Sequence, residues 1–458
     1  EDGIRDSVAS RGLGDVYKRQ ILNLVSHPIN SMSGEVDCPG DKSISQRILI
    51  LGSLLNCDME IDGFLDADDP NSTLDALNKL GASIHRDTKR IYLKKRSITF
   101  CNPSKDLNLG NSGTGARLLL GLISGLGIKS RLVGDHSLSN RPMSRVISPL
   151  LEMGANIESK EGKLPITTNA CDINDDYEYL MPLASAQVKS CLLLAALSSK
   201  NNIKITEPKI TRDHTERMIE FFGGEISYGD ETSFGQIELK NRDLSSKDYY
   251  IVPGDFSSAS FIIVASILAD NSEILIKNVG LNKTRSGLIK ILLLMGANIV
   301  IKNKKILSNE AVGDIIIKSS NLNGIDVPEN IIPNIIDEIP ILSIAAAFAS
   351  GKTTIKNAAE LRVKESDRLN AISKGLSKLR ISHEMFDDGI SITGTKDEIE
   401  CDDSIDSFDD HRIAMSFLIS GIRSKNGVTV QNCKNIETSF PKFKDIMNSL
   451  GMNINEKN

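Results

Sequence analysis

Ile291-Leu292-Leu293-Leu294-Met295-Gly296-Ala297-Asn298-Ile299-Val300-Ile301 reads as the apolar end of a helix, a glycine, and a short β-prone strand. Glycine suits the middle position because helices commonly stop on a residue in the left-handed conformation, where a Cβ is penalised. The pattern returns at roughly 70-residue intervals, a spacing that marks internal repetition: Leu80-Gly81-Ala82, Met153-Gly154-Ala155, Phe222-Gly223-Gly224 and Leu450-Gly451-Met452. A sixth copy, Leu379-Arg380-Ile381, lacks the glycine. A unit of that length exceeds an ordinary solenoid repeat, so each copy is expected to be a small α/β subdomain with its own helices and strands. Near Tyr250 to Asp255 a charged stretch gives way to a Pro-Gly turn and an apolar helix, which suggests a boundary. Three copies precede it and three follow, so chemistry can sit in a cleft between two halves.

The 458 residues exceed what one core ordinarily organises. The net charge of −6 opposes general attraction to nucleic acid or an anionic membrane, so any anion site must be local. No apolar run reaches the roughly 18 to 20 residues of a membrane span. The best, Leu118 to Ile128, is broken by Gly121, Gly125 and Gly127, and a soluble cytoplasmic protein is expected. Cys38, Cys57, Cys101, Cys171, Cys191, Cys401 and Cys433 show no zinc-ligand spacing and read as buried thiols in a reducing compartment. Residues 1–20 contain no Met and no apolar signal region, carry Glu1, Asp2, Asp6 and Asp15, and are expected to be a non-native or disordered leader outside the fold.

Several segments concentrate polar groups at predicted helix starts. Pro39-Gly40-Asp41-Lys42-Ser43-Ile44-Ser45-Gln46-Arg47 is a turn entering a helix, with Asp41 or Ser43 as N-cap and Lys42 and Arg47 as cations; an anion site and a solvated basic helix end both fit it. Gly110-Asn111-Ser112-Gly113-Thr114-Gly115-Ala116-Arg117 lets backbone approach a phosphate or carboxylate, yet it matches neither the dinucleotide fingerprint nor a Walker A loop. Arg141 precedes Pro142 and is biased towards extended backbone. Ser185-Ala186-Gln187-Val188-Lys189 opens an apolar helix, for which capping by Ser185 is a sufficient explanation. Asp337-Glu338 stands immediately before an Ala-rich helix, where acids favour the N-terminus anyway. In Arg362 to Arg368, helical spacing would put Glu365 beside Arg368 and Lys364 one turn from Arg368, two cations that repel unless an anion lies between them. Asp409-Asp410-His411-Arg412 offers too few ligands for a metal, whereas Arg412 suits a carboxylate or phosphate clamp.

These strings, together with Thr211-Arg212-Asp213-His214-Thr215-Glu216-Arg217 and Val252-Pro253-Gly254-Asp255, stand in the order and approximate spacing of the 5-enolpyruvylshikimate-3-phosphate (EPSP) synthases, which the chain resembles from about Leu24 to Gly451. The resemblance implies an α/β fold of two similar domains, each of three βαβαββ-type units around buried helices, an inside-out α/β barrel with six repeats in all. It further implies a discontinuous first domain of residues 21–38 plus 254–458 and a second domain of residues 39–253, with the active site between them. The implied reaction moves the enolpyruvyl group of phosphoenolpyruvate to the 5-hydroxyl of shikimate 3-phosphate through a tetrahedral intermediate, without metal or organic cofactor, in a monomer.

Carried over motif by motif, the resemblance implies that Lys42, Ser43, Arg47, Ser185, Ala186, Gln187, Arg212, Asp337 and Lys364 contact shikimate 3-phosphate. It implies that Lys42, Gly113, Arg141, Gln187, Arg368 and Arg412 hold phosphoenolpyruvate, and that Asp337, Glu365 and Lys42 are catalytic. Two carboxyl groups, one ionised and one able to carry a proton, suit an addition–elimination sequence. A lysine of one branch of the family falls at Thr438 here, so no phosphate contact is expected from that position. The Ser185–Ser190 and Thr211–Arg217 strings resemble the branch that includes glyphosate-tolerant enzymes, whereas Gly113 stands where an alanine accompanies tolerance, so inhibition by glyphosate is expected. The alternatives are the related UDP-N-acetylglucosamine enolpyruvyl transferase, whose loop cysteine has no counterpart between Cys101 and Cys171, and a non-catalytic repeat-built binding module, which would have no use for the carboxylates.

Overall fold

The six helix ends close in the same way. Gly81, Gly154, Gly223, Gly296 and Gly451 have φ of 98°, 96°, 84°, 98° and 108°, and Arg380 takes the left-handed conformation without being glycine, at φ 56°. The next residue then returns its N–H to a carbonyl five positions back: Ala82 to Leu77 at 3.0 Å, Ala155 to Leu150 at 2.9 Å, Gly224 to Ile219 at 3.0 Å, Ala297 to Leu292 at 2.9 Å, Ile381 to Leu376 at 2.9 Å and Met452 to Met447 at 3.0 Å. This closure satisfies carbonyls the helix end leaves open and turns the chain into the following strand.

This computed structural model describes residues 22–457 apart from 56, 88–89, 96–99, 175 and 231–232; the leader expected at 1–20 lies outside the described residues. The strands form six small sheets with one shared plan. In one of them, Leu107–Asn108 runs parallel to Ser130–Val133, which is antiparallel to Lys163–Asn169, itself antiparallel to Asn156–Lys160. The same order recurs with Tyr177–Leu180, Ile203–Thr206, Gln236–Asn241 and Glu225–Tyr228. In the three-stranded sheet Lys352–Ile355, Gly389–Thr393 and His383–Phe386, the parallel partner is reduced to the bridges Asn323↔Ser350 and Asp326↔Thr354.

Buried side chains gather in two cores. A middle core runs from Ile44 to Val252, and a terminal core combines Leu24 and Met32 with residues from Phe256 to Ile454. The chain crosses between them where Gly40 bridges Gly254, with Asp41 N–H donating to Pro253 O at 2.8 Å and Asp255 N–H to Pro39 O at 2.6 Å. Each core is built on helices buried along most of their length, unlike surface helices that bury one stripe. These are Lys42–Leu55, Gly113–Gly125 and Ala186–Ser199 in the middle core, and Phe256–Leu268, Ile339–Ala347 and His411–Ser420 in the terminal one. Gly121 and Gly125 let two of them touch backbone to backbone: a Cβ on either would lie 2.2 Å from the carbonyl oxygen of Cys191 or Ala195.

Among the described residues no single helix is long and apolar enough to cross a membrane. The seven cysteines are free, but only Cys191 and Cys433 are fully buried and Cys101 is exposed, so the expectation of uniformly buried thiols is corrected: several lie in loops and short edge segments rather than on the central helices.

Arg380→Gly should stabilise the protein by about 1 kcal/mol, because a non-glycine residue in the left-handed region costs about 1–2 kcal/mol and the ion pairs lost, to Glu400 and Asp402, are exposed. Chemical denaturation checks this; an unchanged or lowered midpoint refutes it.

Candidate active site

The six buried helices begin at the same place. Asp41 Oδ1 caps the first by accepting from Ile44 N at 2.8 Å, so Asp41 rather than Ser43 is the N-cap. Ser112 caps the helix from Gly113, Ser185 that from Ala186, Asp255 that from Phe256 and Asp410 that from His411. The ends are tied together. Lys42 N–H donates to Asp255 Oδ2 at 3.1 Å, Gln46 Nε2 to Ser112 Oγ at 2.6 Å, Gln187 Nε2 to Thr114 Oγ1 at 2.9 Å, and Arg412 Nη1 to Asp337 O at 2.9 Å. Convergent helix N-termini present unsatisfied N–H groups and a partial positive charge, the ordinary basis of an anion site.

Cations and carboxylates meet in the seam between the cores. Arg368, only 1% exposed, donates through Nε to Asp410 at 2.8 Å, through Nη2 to Glu365 at 2.6 Å and through Nη1 to Asp337 at 3.2 Å. Asp337 is also ion-paired with Arg212, which comes from the middle core, and lies 3.8 Å from Lys364 Nζ. Arg141, likewise from the middle core, reaches Glu365 at 3.4 Å. At the rim, Arg145 Nη1 donates to both oxygens of Glu360 at 2.8 and 3.0 Å, another contact across the seam.

Burial alone would raise the pKa of Asp337, but Arg212, Lys364, Arg412 and Arg368 hold it well below the usual carboxylate range. Glu365 is treated the same way: burial opposes its charge, and Arg368 and Arg141, with Lys42 beyond them, more than offset that. Arg368 lies against both groups and, before substrate binds, favours the ionised form of each. Burial lowers the Lys364 ammonium despite Asp337 beside it. Burial, with Lys42 and Arg412 nearby, pushes His411 well below its ordinary value, so its imidazole is neutral.

The structure brings Lys42, Gly113, Arg141, Gln187, Arg212, Asp337, Lys364, Glu365, Arg368 and Arg412 to this seam or its walls. Lys42 Nζ donates to Asp69 Oδ2 at 3.0 Å, Ser43 and Ala186 stand in the first turns of their helices, and Ser185 Oγ accepts from Val188 N as a cap while its O–H remains a donor. Arg141 is extended, with φ −76° and ψ 141°, as its proline neighbour predicts. A Cβ on Gly113 would lie 2.7 Å from Arg141 Nη1, so the glycine leaves room for that guanidinium. Arg47 is set back, 3% exposed, between Thr215 and Ser190. Thr438 is buried and donates to Asn435 O at 2.7 Å.

One local expectation fails. Residues 364–367 are not helical: the helix Arg368–Lys378 starts only after Asp367, whose side chain accepts from Asn370 N, and Ala359–Val363 forms a 3-10 turn before it. The Glu365–Arg368 pair nevertheless forms across the cap, and the anion between Lys364 and Arg368 is Asp337. Sequence reasoning also left functional neighbours unassigned. Arg285, 3% exposed, pairs with Asp255 at 3.2 Å and comes within 4.0 Å of Asp337; it sits in no recognisable motif. Arg117 donates to Gln187 Oε1 at 2.6 Å and to Pro142 O at 3.1 Å, and Asp410 pairs with Arg368; both stood inside quoted strings, where adjacency to a glycine turn and a helix start was the available signal.

A family model described as EPSP synthase (3-phosphoshikimate 1-carboxyvinyltransferase) matches residues 26–447. The chain is 45% identical over 427 residues to the 3-phosphoshikimate 1-carboxyvinyltransferase of Petrotoga mobilis, covering 92% of this chain and 98% of that protein. It is 43% identical over 438 residues to that of Legionella pneumophila strain Lens, covering 95% and 100%. A solved EPSP synthase from Acinetobacter baumannii matches the fold with a TM-score of 0.84 at 37% identity, over 95% of this chain and 100% of that one. The fold, the cluster of anion-binding and carboxylate groups, and these likenesses agree: the chain belongs to the EPSP synthase, or 3-phosphoshikimate 1-carboxyvinyltransferase, family.

Proposed function

We propose that the seam is where the enolpyruvyl group of phosphoenolpyruvate passes to the 5-hydroxyl of shikimate 3-phosphate with release of phosphate. The position of Arg368 between Asp337 and Glu365 carries this reading, since it joins two carboxylates to a wall of cations in one enclosed place. Both substrates are small polyanions, and charge-assisted hydrogen bonds to such groups contribute about 1.5–3 kcal/mol each. Lys42, Ser43, Arg47, Ser185, Ala186, Gln187, Arg212 and Lys364 hold shikimate 3-phosphate; Lys42, Gly113, Arg141, Gln187, Arg368 and Arg412 hold phosphoenolpyruvate. The two cores act as domains, residues 22–38 with 254–457 and residues 39–253, that close on the substrates and exclude water.

The charge arrangement supports a sequence of proton steps. As substrate oxygens engage Arg212, Lys364 and Arg368, Asp337 and Glu365 lose the partners that depress their pKa, and their basicity rises where it is needed. Asp337 takes the proton of the 5-hydroxyl while its oxygen bonds to C2 of phosphoenolpyruvate, and C3 gains the proton that Glu365 has bound once its basicity has risen, with the Lys42 ammonium beside it. Phosphate then leaves C2 as C3 loses a proton to Glu365. Neither step requires a metal or organic cofactor. Free cysteines fit a reducing compartment such as the cytoplasm.

A phosphate-release assay is the direct test: release should require both phosphoenolpyruvate and shikimate 3-phosphate. Equal release with UDP-N-acetylglucosamine as acceptor refutes the assignment. Asp337→Ala and Glu365→Ala should each abolish turnover while substrate binding remains measurable by calorimetry; near-parental rates in both refute the roles given. The depressed pKa of Asp337 adds stability that is complete above the ordinary carboxylate value of about 4 and lost as pH falls through the lower folded value. Asp337→Asn should therefore melt below the parent at neutral pH, with the deficit shrinking as the pH is taken towards about 3; a deficit that stays constant contradicts the pairing. Glyphosate should inhibit with a constant comparable to the KM for phosphoenolpyruvate, and a constant far above that KM counts against the expectation drawn from Gly113, whose missing Cβ leaves room for Arg141.

A further inference from the structure

Behind Arg47 and Arg212 lies a charged cluster that substrate does not reach. Lys189, in the second turn of the helix Ala186–Ser199, is 1% exposed, and its ammonium stands 2.7 Å from Glu216 and 3.2 Å from Glu207, both essentially buried. Burial opposes its charge, but the two carboxylates more than offset that and keep the amine protonated. Buried ion clusters are a poor route to stability, since apolar groups of similar volume commonly serve as well or better. This one instead connects to the site by two arms.

The first arm runs through Glu207. Its carboxylate accepts from Thr211 N–H at 3.0 Å and from Thr211 Oγ1 at 2.6 Å, while Lys189 Nζ reaches Thr211 O at 3.5 Å. All three contacts fix the residue immediately before Arg212, whose guanidinium extends across the seam to Asp337. The second arm runs through Thr215, the neighbour of Glu216. Thr215 Oγ1 accepts from Arg47 Nε at 2.8 Å and donates to Ser190 Oγ at 2.7 Å, which accepts from Arg47 Nη2 at 3.0 Å.

Arg47 is therefore oriented by hydroxyls and by the carbonyl of Ser43, at 3.1 Å. Among the described residues no carboxylate comes within ion-pair distance of it, so its charge stays available to an anionic ligand. Burial lowers its pKa to about 10, and Asp41 and Glu216 are the acids that work against that lowering. Of these two acids, Glu216 is the one that adjoins Thr215 in the chain, and Lys189 occupies it at 2.7 Å.

We propose that Lys189, Glu207 and Thr215 are positioning residues for shikimate 3-phosphate: Lys189 neutralises Glu216 and Glu207, so that Arg47 and Arg212 keep their charges turned towards the substrate. This rests on the assignment of those two arginines to shikimate 3-phosphate given above.

The test uses the full chain and measures melting temperature, kcat, and KM for each substrate separately. The near-isosteric Thr215→Val and Glu207→Gln should raise the KM for shikimate 3-phosphate about tenfold, which is about 1.4 kcal/mol, and leave that for phosphoenolpyruvate within about twofold. Lys189→Met should do the same more strongly, and adding Glu216→Gln to it should recover most of the loss, because the competing carboxylate is gone. Where Lys189→Met alone does not fold, the two isosteric variants and the double variant decide. Lowered melting temperature with both KM values unchanged, or both KM values raised equally, overturns the proposal. Arg47→Lys and Arg212→Lys separate the two levels. If they leave the KM for shikimate 3-phosphate unchanged, the substrate assignment falls and this inference with it. If they raise it while the Thr215 and Glu207 variants do not, only the inference falls.

Discussion

The guanidinium of Arg368 is held almost wholly out of water by three carboxylates, and the geometry of the site follows from that requirement. An ionised group taken from water must be paired, and removing one partner of a buried pair typically costs about 3–5 kcal/mol. Each partner arrives from a different place: Asp410 as the cap of the helix His411–Ser420, Asp337 from the turn before Ile339–Ala347, Glu365 from the loop before Arg368 itself. A planar fork with five donors can meet three such directions at once, which a lysine ammonium on a flexible stem does poorly. Satisfying this one side chain thus sets the relative position of two central helices and an approach loop.

The same logic extends across the seam. Arg212 and Arg141 reach over from the middle core to carboxylates of the terminal core, and Asp337 meets cations from both sides. Charges that would be costly alone become tolerable only when the two cores are together. Anionic substrates speak to these same cations, so binding exchanges partners instead of creating charged contacts from nothing, and the carboxylates released are the groups that proton transfer requires.

What was legible in the sequence was local. The helix stop at Gly296 could be read because a left-handed residue selects glycine within a few positions of its own chain, and recurrence of that mark revealed the six units. Arg141 before Pro142 was legible for the same reason. At Arg380 the mark was missing while the conformation was kept, so local preference is overridden there by the surrounding unit. Residues 364–367 show the opposite error: helical spacing was assumed through a segment where the Asp367 cap starts the helix later. Arg285 was invisible because its partners, Asp41 and Asp255, meet only after the chain has crossed between the cores. The pull on Glu365 was not legible, because a pKa depends on neighbours far away in the chain, here Arg141 after Arg368.

The strand Leu24–His27 lies between Val428–Gln431 and Asn453–Glu456, and Lys457 N–H donates to Asn23 O at 2.9 Å. During synthesis on a ribosome this early strand emerges more than four hundred positions ahead of both its neighbours. The middle core, by contrast, is contiguous from Ile44 to Val252 and can assemble while the rest is still being made. The terminal core must wait, holding that strand unpaired until residues 428–456 have been made. The cleft accordingly forms late relative to the middle core, only once segments more than four hundred positions apart have met.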